Sequence, residues 1–198
     1  MRHRRTTPLA IVPSLLLFVG VLQAESPAAR VSQCGTSRPT PSGQATCLAV
    51  SPDGRLIASG AFDGSVWMFA ASTGETRWRR EDAHLRLVLS LEFSHDGKLL
   101  ASSSYDPGVR LWDTMNGAPV RDLDSGSDPI CAMLFDPDDR TLVCGSTGGL
   151  VRIRSLSSGD VLQTFQLPER GTCRLAMSAD GGRLAAAGWS GHVRVWDL

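Results

Sequence analysis

Residues 94–113 read SHDGKLLASSSYDPGVRLWD. Ser94, His95, Asp96 and Gly97 form a turn tetrapeptide: Ser and Asp side chains bond back to nearby backbone, and Gly accepts a left-handed conformation. The flanking runs alternate with a period of two, which describes a half-buried strand and not a helix. Four short strands fit around this stretch, at about 86–93, 98–103, 108–113 and 118–122.

The pattern returns along the chain. SPDGR stands at 51–55, DPDDR at 136–140 and SADGGR at 178–183, so that Asp53, Asp96, Asp138 and Asp180 follow one another at separations of 43, 42 and 42 residues. A second landmark keeps the same pitch: VWMF at 66–69, VRLW at 109–112, VRIR at 151–154 and VRVW at 193–196. Two landmarks with one period describe four repeats of one unit. A four-stranded sheet of this size, apolar on both faces, cannot stand alone and must stack on copies of itself. Radial stacking of such sheets gives an all-β architecture, a β-propeller of four-stranded antiparallel blades.

These units resemble the WD repeats of the WD-repeat β-propeller family. The resemblance covers about residues 41–198, with blades at about 41–83, 84–126, 127–168 and 169–198. Trp112-Asp113 and Trp196-Asp197 match the pair that ends the repeat; Phe69-Ala70 and Arg154-Ser155 replace it in the other two units. The resemblance implies a buried polar chain in the second unit formed by His84, Ser102, Asp106 and Trp112. The first unit keeps only Ser59 and Asp63; the third has Cys144 and Gly148, and the fourth Ala186, Ser190 and Trp196. The family usually has seven or eight blades. Three closures therefore compete: a compact four-bladed ring, a ring completed by a second copy as a homodimer, and a fragment of a longer array. Residues 29–34, within the N-terminal segment 25–40, are a candidate closing strand.

Residues 1–24 have a different character. Arg2, Arg4 and Arg5 precede the apolar run LAIVPSLLLFVGVL at 9–22, and Ala24 follows. This is the three-part pattern of a secretory signal peptide, cleaved after Ala24, which predicts an exported chain with no stable membrane insertion after cleavage. Fourteen apolar residues interrupted by Pro13 are short for a membrane span of about 20.

Of 198 residues, 20 are Lys or Arg and 20 Asp or Glu, for a net charge of zero. No basic excess exists to hold nucleic acid. His84, His95 and His192 lack metal-ligand spacing, and no GxSxG, HExxH or phosphate-loop motif occurs. The reading is a non-catalytic protein without a cofactor or metal; the alternatives are a propeller hydrolase or lyase, and a non-functional remnant of a longer array. Asp136, Asp138 and Asp139 read as a solvated turn.

Five cysteines are present, at 34, 47, 131, 144 and 173. Cys131 and Cys144 flank the DPDD turn almost symmetrically, which leaves two readings open: a disulfide across that hairpin, or two free buried thiols that act as small apolar residues. Phe62, Tyr105, Thr147 and Trp189 occupy one aligned position in the turn before the third strand of each unit. Large aromatics at turn tips are poorly explained by packing and are enriched at binding hot spots. Phe62, Tyr105 and Trp189 therefore predict a rim that binds a protein or peptide. In the aligned series Trp67, Arg110, Arg152 and Arg194, the arginines read as stems that cover neighbouring strands.

Overall fold

The computed structural model describes residues 44–106, 108–123, 126–168, 171–189 and 191–198. Both the candidate signal peptide, 1–24, and the candidate closing strand, 29–34, lie outside the described residues, as does Ser190. The described residues contain strands and turns and no helix.

Four antiparallel sheets follow one another. The first is β1 (Ala45–Val50), β2 (Leu56–Ala61), β3 (Val66–Ala70) and β4 (Thr76–Arg80). The second is β5 (Val88–Phe93), β6 (Leu99–Ser104), β7 (Val109–Asp113) and β8 (Pro119–Leu123). The third is β9 (Ile130–Phe135), β10 (Thr141–Ser146), β11 (Leu150–Ser155) and β12 (Val161–Gln166). The fourth has β13 (Thr172–Met177), β14 (Arg183–Gly188) and β15 (Val193–Asp197). Strands are adjacent in sequence order within each sheet, so every connection is a hairpin. The sheets pack face to face, and their first strands lie side by side in the order β1, β5, β9, β13. This is the stacking expected of propeller blades.

The turn between the first two strands of a blade repeats one bonding scheme. Ser51 Oγ donates to Asp53 Oδ1 at 2.6 Å, Arg55 N–H donates to the same oxygen at 3.0 Å, and Leu56 N–H donates to Ser51 Oγ at 2.9 Å. Ser94 with Asp96, and Ser178 with Asp180, do the same. These bonds hold the Asp53 carboxyl below the usual carboxylate range, the Ser51 hydroxyl contributing most. In the third blade Asp136 replaces Ser and its Oδ1 takes both Arg140 and Thr141 N–H, at 2.7 and 2.8 Å.

Three apolar layers lie between successive blades. Ala58, Val66 and Met68 meet Val88, Leu91, Phe93 and Leu100. Ala101, Val109 and Leu111 meet Met133, Phe135 and Leu142. Val143, Val151 and Ile153 meet Leu175, Met177 and Leu184. Each fully buried aliphatic side chain contributes about 1.5–3 kcal/mol. Small residues in the second strands let the sheets approach: a Cβ on Gly60 would lie 2.6 Å from Val88 Cγ1 of the next blade.

A bulge recurs near the start of each blade's first strand, between Ala45 and Cys47, Val88 and Ser90, and Thr172 and Arg174, and opposite Gly145 and Ser146. It tells against the candidate disulfide. The register places Met133 opposite Cys144, and Cys131 falls in the bulge, where its Sγ donates to Gly145 O at 3.5 Å. Cys131 and Cys144 are not joined. The extra residue turns Cys131 out of the alternation that numerical symmetry assumes. Thr46 shows the same bulge in the first blade: its hydroxyl lies 3.1 Å from Gly60 O and 2.6 Å from Val88 O of the second blade.

Candidate functional site

The polar chain of the second blade is complete. His84 Nδ1 lies 2.9 Å from Asp106 Oδ1, and His84 Nε2 lies 2.8 Å from Ser102 Oγ. Trp112 Nε1–H donates to Ser102 Oγ at 2.8 Å, and Leu85 N–H to Asp106 Oδ2 at 2.9 Å. A neutral His84 carrying its proton on Nδ1 satisfies every member: the indole donates to Ser102, Ser102 to Nε2, and Nδ1–H to the carboxylate. Burial pushes the His84 pKa down, against the opposing pull of Asp106. Burial raises the Asp106 pKa, but the Leu85 N–H, the Ser104 hydroxyl and His84 outweigh it and hold this carboxyl low.

Asp106, His84 and Ser102 are joined in the order of a nucleophilic triad. Accessibility decides against that chemistry. Ser102 is 0% exposed, and its oxygen already accepts the Trp112 N–H. The chain is a lock between elements. His84 N–H also donates to Gly64 O at 3.0 Å, so one residue ties the first blade's turn to the second blade's core. Gly64 has φ +87°, and a Cβ there would run into His84 O, so Gly is required on both grounds. Arg110 extends the chain: its guanidinium lies 3.8 Å from Asp106 Oδ2 and donates to Asp82 O at 3.3 Å. It acts as an ion-pair partner as well as a covering stem.

The other blades substitute for this chain by different means. In the first, Asp63 Oδ1 accepts from Ser65 N–H and Oγ, and Trp67 Nε1–H donates to Ser65 Oγ at 2.8 Å. Trp67 stacks on Phe69 with centroids 6.1 Å apart, and Arg79 sits over its ring at 5.2 Å. In the third blade, Gly148 replaces the aspartate, and the Asp128 carboxylate occupies the space that a Gly148 Cβ would need. Cys144 takes the place of the serine, and Arg154, also buried, that of the tryptophan. In the fourth, Trp196 packs on Phe165 with centroids 4.9 Å apart.

The rim residues stand at matching places. The backbone N–H groups of Phe62, Tyr105, Thr147 and Trp189 donate to Gln44, Leu87, Pro129 and Gly171 carbonyls respectively. Each bond joins the turn before a blade's third strand to the start of its first strand, so the four side chains share one rim. Phe62, Tyr105 and Trp189 are 54%, 47% and 82% exposed. Leu85, which the sequence reading passed over, is 87% exposed and lies beside Tyr105, since its N–H binds the next residue, Asp106. Its signal was its place directly after His84, in a connection on the same rim. Among the described residues, no group of three or more His, Cys, Asp or Glu side chains converges on a metal site.

The family model for the WD domain, G-beta repeat, matches residues 32–69, 78–113, 117–155 and 159–197. The chain is 30% identical over 159 residues to COMPASS component SWD3 of Saccharomyces cerevisiae, which covers 76% of this chain and 50% of that protein. It is likewise 30% identical over 166 residues to small ribosomal subunit protein RACK1y of Oryza sativa, covering 79% and 48%. Among solved structures, U3-55K superposes with TM-score 0.71 at 23% identity, over 78% of this chain and 49% of that one. The computationally designed Ika8 protein superposes with TM-score 0.70 at 22% identity, over 79% and 46%. The chain thus spans about half the length of these relatives.

Proposed function

The chain belongs to the WD-domain, G-beta repeat family, and from that premise we propose that it is an exported, non-catalytic scaffold that binds a protein or peptide on its rim. The observation that carries the reading is the row of exposed aromatics, Phe62, Tyr105 and Trp189, at one repeated position. Aromatic rings supply a large contact area with few rotatable bonds, so little ordering cost opposes binding. Leu85 adds an exposed aliphatic side chain in the connection after His84. A zero net charge over the whole chain favours a protein or peptide over nucleic acid. Export rests on the tripartite pattern of residues 1–24.

Two experiments test this. Replacing Phe62, Tyr105 and Trp189 together with Ala abolishes partner capture while leaving the thermal transition in place; capture at the parental level overturns the rim reading. N-terminal sequencing of the protein recovered from the extracytoplasmic fraction yields Glu25 as the first residue. An intact Met1, or confinement to the cytoplasm, overturns export.

A further inference from the structure

The three interfaces between blades are built to one plan, and both ends of the array carry unused halves of it. Each blade presents three residues of its second and third strands to the next blade: Ala58, Val66 and Met68; Ala101, Val109 and Leu111; Val143, Val151 and Ile153. Each receives them on its first strand, through Leu91 and Phe93, Met133 and Phe135, or Leu175 and Met177. Leu48 and Val50 hold the receiving positions of the first blade and are 66% and 60% exposed. Val193 and Val195 hold the presenting positions of the fourth and are 65% and 61% exposed, whereas the aligned Val109 and Leu111 are each 1% exposed.

We propose that a second copy of this chain covers both ends: Val193 and Val195 of each copy seat against Leu48 and Val50 of the other, closing an eight-bladed ring. The two surfaces are mating halves of an interface the chain already makes three times, aliphatic against aliphatic, with no charge at the four positions to desolvate. Four blades superpose on 46–49% of each solved relative with TM-scores of 0.70–0.71, so two copies supply about the length of chain that one of those proteins has. A head-to-tail contact of this kind ends in a closed ring when the rotation completes, and two identical joints then exhaust the exposed faces. Closure also bears on the rim, a consequence that rests on the binding reading above. Trp189 of one copy becomes the neighbour in ring order of Phe62 of the second copy, followed by its Tyr105. Three aromatics then occupy consecutive blades, a grouping that a single copy lacks because Thr147 interrupts its row.

Light scattering after size exclusion, on the whole chain over a dilution series, reads the proposal. The expected mass is twice that of the chain. Val193→Glu with Val195→Glu halves it, as does Leu48→Glu with Val50→Glu; circular dichroism and tryptophan emission stay unchanged, because these side chains are exposed in the single copy. Mixing the two double variants restores a dimer of weaker affinity, since one unaltered joint remains. A single-chain mass at every concentration overturns the proposal, as further blades in cis or another partner would then cover the ends. Masses that grow beyond two copies, or a dimer indifferent to both double variants, overturn it equally. Partner capture by a single-copy variant at parental affinity overturns the cross-joint aromatic grouping alone, and loss of capture in the rim triple variant with the dimer intact separates the two readings.

Discussion

Asp139 of the third blade holds the turn of the second through His95. Its Oδ1 accepts from His95 N–H at 2.8 Å and lies 2.9 Å from His95 Nδ1, while Oδ2 accepts from Asp96 N–H at 2.8 Å. Asp139 has φ +52°, where the aligned residues of the other blades are Gly54, Gly97 and Gly181 at φ +71°, +71° and +73°. The left-handed conformation costs a non-Gly residue roughly 1–2 kcal/mol. The carboxylate offsets that cost by bonding two backbone N–H groups across the interface. In the other blades no such bond is made: a Cβ on Gly97 or Gly181 would only approach Pro52 or Pro137.

Asp139→Ala therefore loses the bonds and keeps the strain, and urea unfolding shows a loss of about 2 kcal/mol. Asp139→Gly loses the same bonds but relieves the backbone, and its loss is about 1 kcal/mol smaller. Equal losses in the two variants would show that the backbone there is unstrained.

The His84 chain makes the second blade acid-sensitive. The His84 pKa is lowered on folding, so the unfolded chain binds a proton that the folded chain refuses, and stability falls as pH drops below the ordinary His value of about 6.5. The low Asp106 pKa adds a second loss, as pH falls through the carboxylate range. Trp112→Phe removes one donor and costs about 1–2 kcal/mol. His84→Ala leaves the buried Asp106 carboxylate and Ser102 hydroxyl short of partners and costs about 3 kcal/mol. Denaturant midpoints across pH 5–8 check both, and the slope below pH 6.5 flattens in His84→Ala.

Glu92 on β5 acts in the opposite sense. Burial pushes its carboxyl up to about 7, with His95 pulling weakly down. The folded chain holds this proton after the unfolded chain has released it near 4.5, so the contribution is full below 4.5 and is lost as pH rises through 7. Glu92→Gln stabilises the protein at pH 8 by roughly 1–3 kcal/mol and has little effect at pH 4. A uniform shift at both pH values would point to packing instead of ionisation.

The cysteines yield a redox prediction. Burial pushes Cys144 up to about 12 and Cys47 up to about 11. At pH 8 neither supplies thiolate, so both resist a disulfide-exchange reagent until the fold opens. Peptide mapping without reduction finds no Cys131–Cys144 link. Cys144→Ser places a hydroxyl in the apolar layer around Met133 and Leu142 and costs more than Cys144→Ala. Recovery of the linked peptide would overturn the register described here.

Local chemistry carried most of the fold. The strands read at 98–103 and 108–113 are Leu99–Ser104 and Val109–Asp113, because turn residues and a two-residue period act over a few bonds. His84, Ser102, Asp106 and Trp112 were legible through the resemblance to WD repeats, which implies a buried polar chain at those places in the unit. Asp139 and Asp128 were not legible. Each acts on a residue brought near by folding, Asp139 on His95 and Asp128 in the space over Gly148. The first pairing crosses between repeats and the second lies in the third repeat alone, so no pattern shared by the repeats encodes either.

The number of repeats, the strand pattern and the rim positions follow from the order of residues, since a period and its turns are properties of the chain alone. The register at Cys131, the reach of Asp139 and the exposure of Leu48, Val50, Val193 and Val195 belong to the folded array. A bulge shifts every later pairing by one residue, and whether an apolar face is covered depends on what lies beyond the neighbouring blade. Both are settled by packing between distant segments, where one blade meets the next.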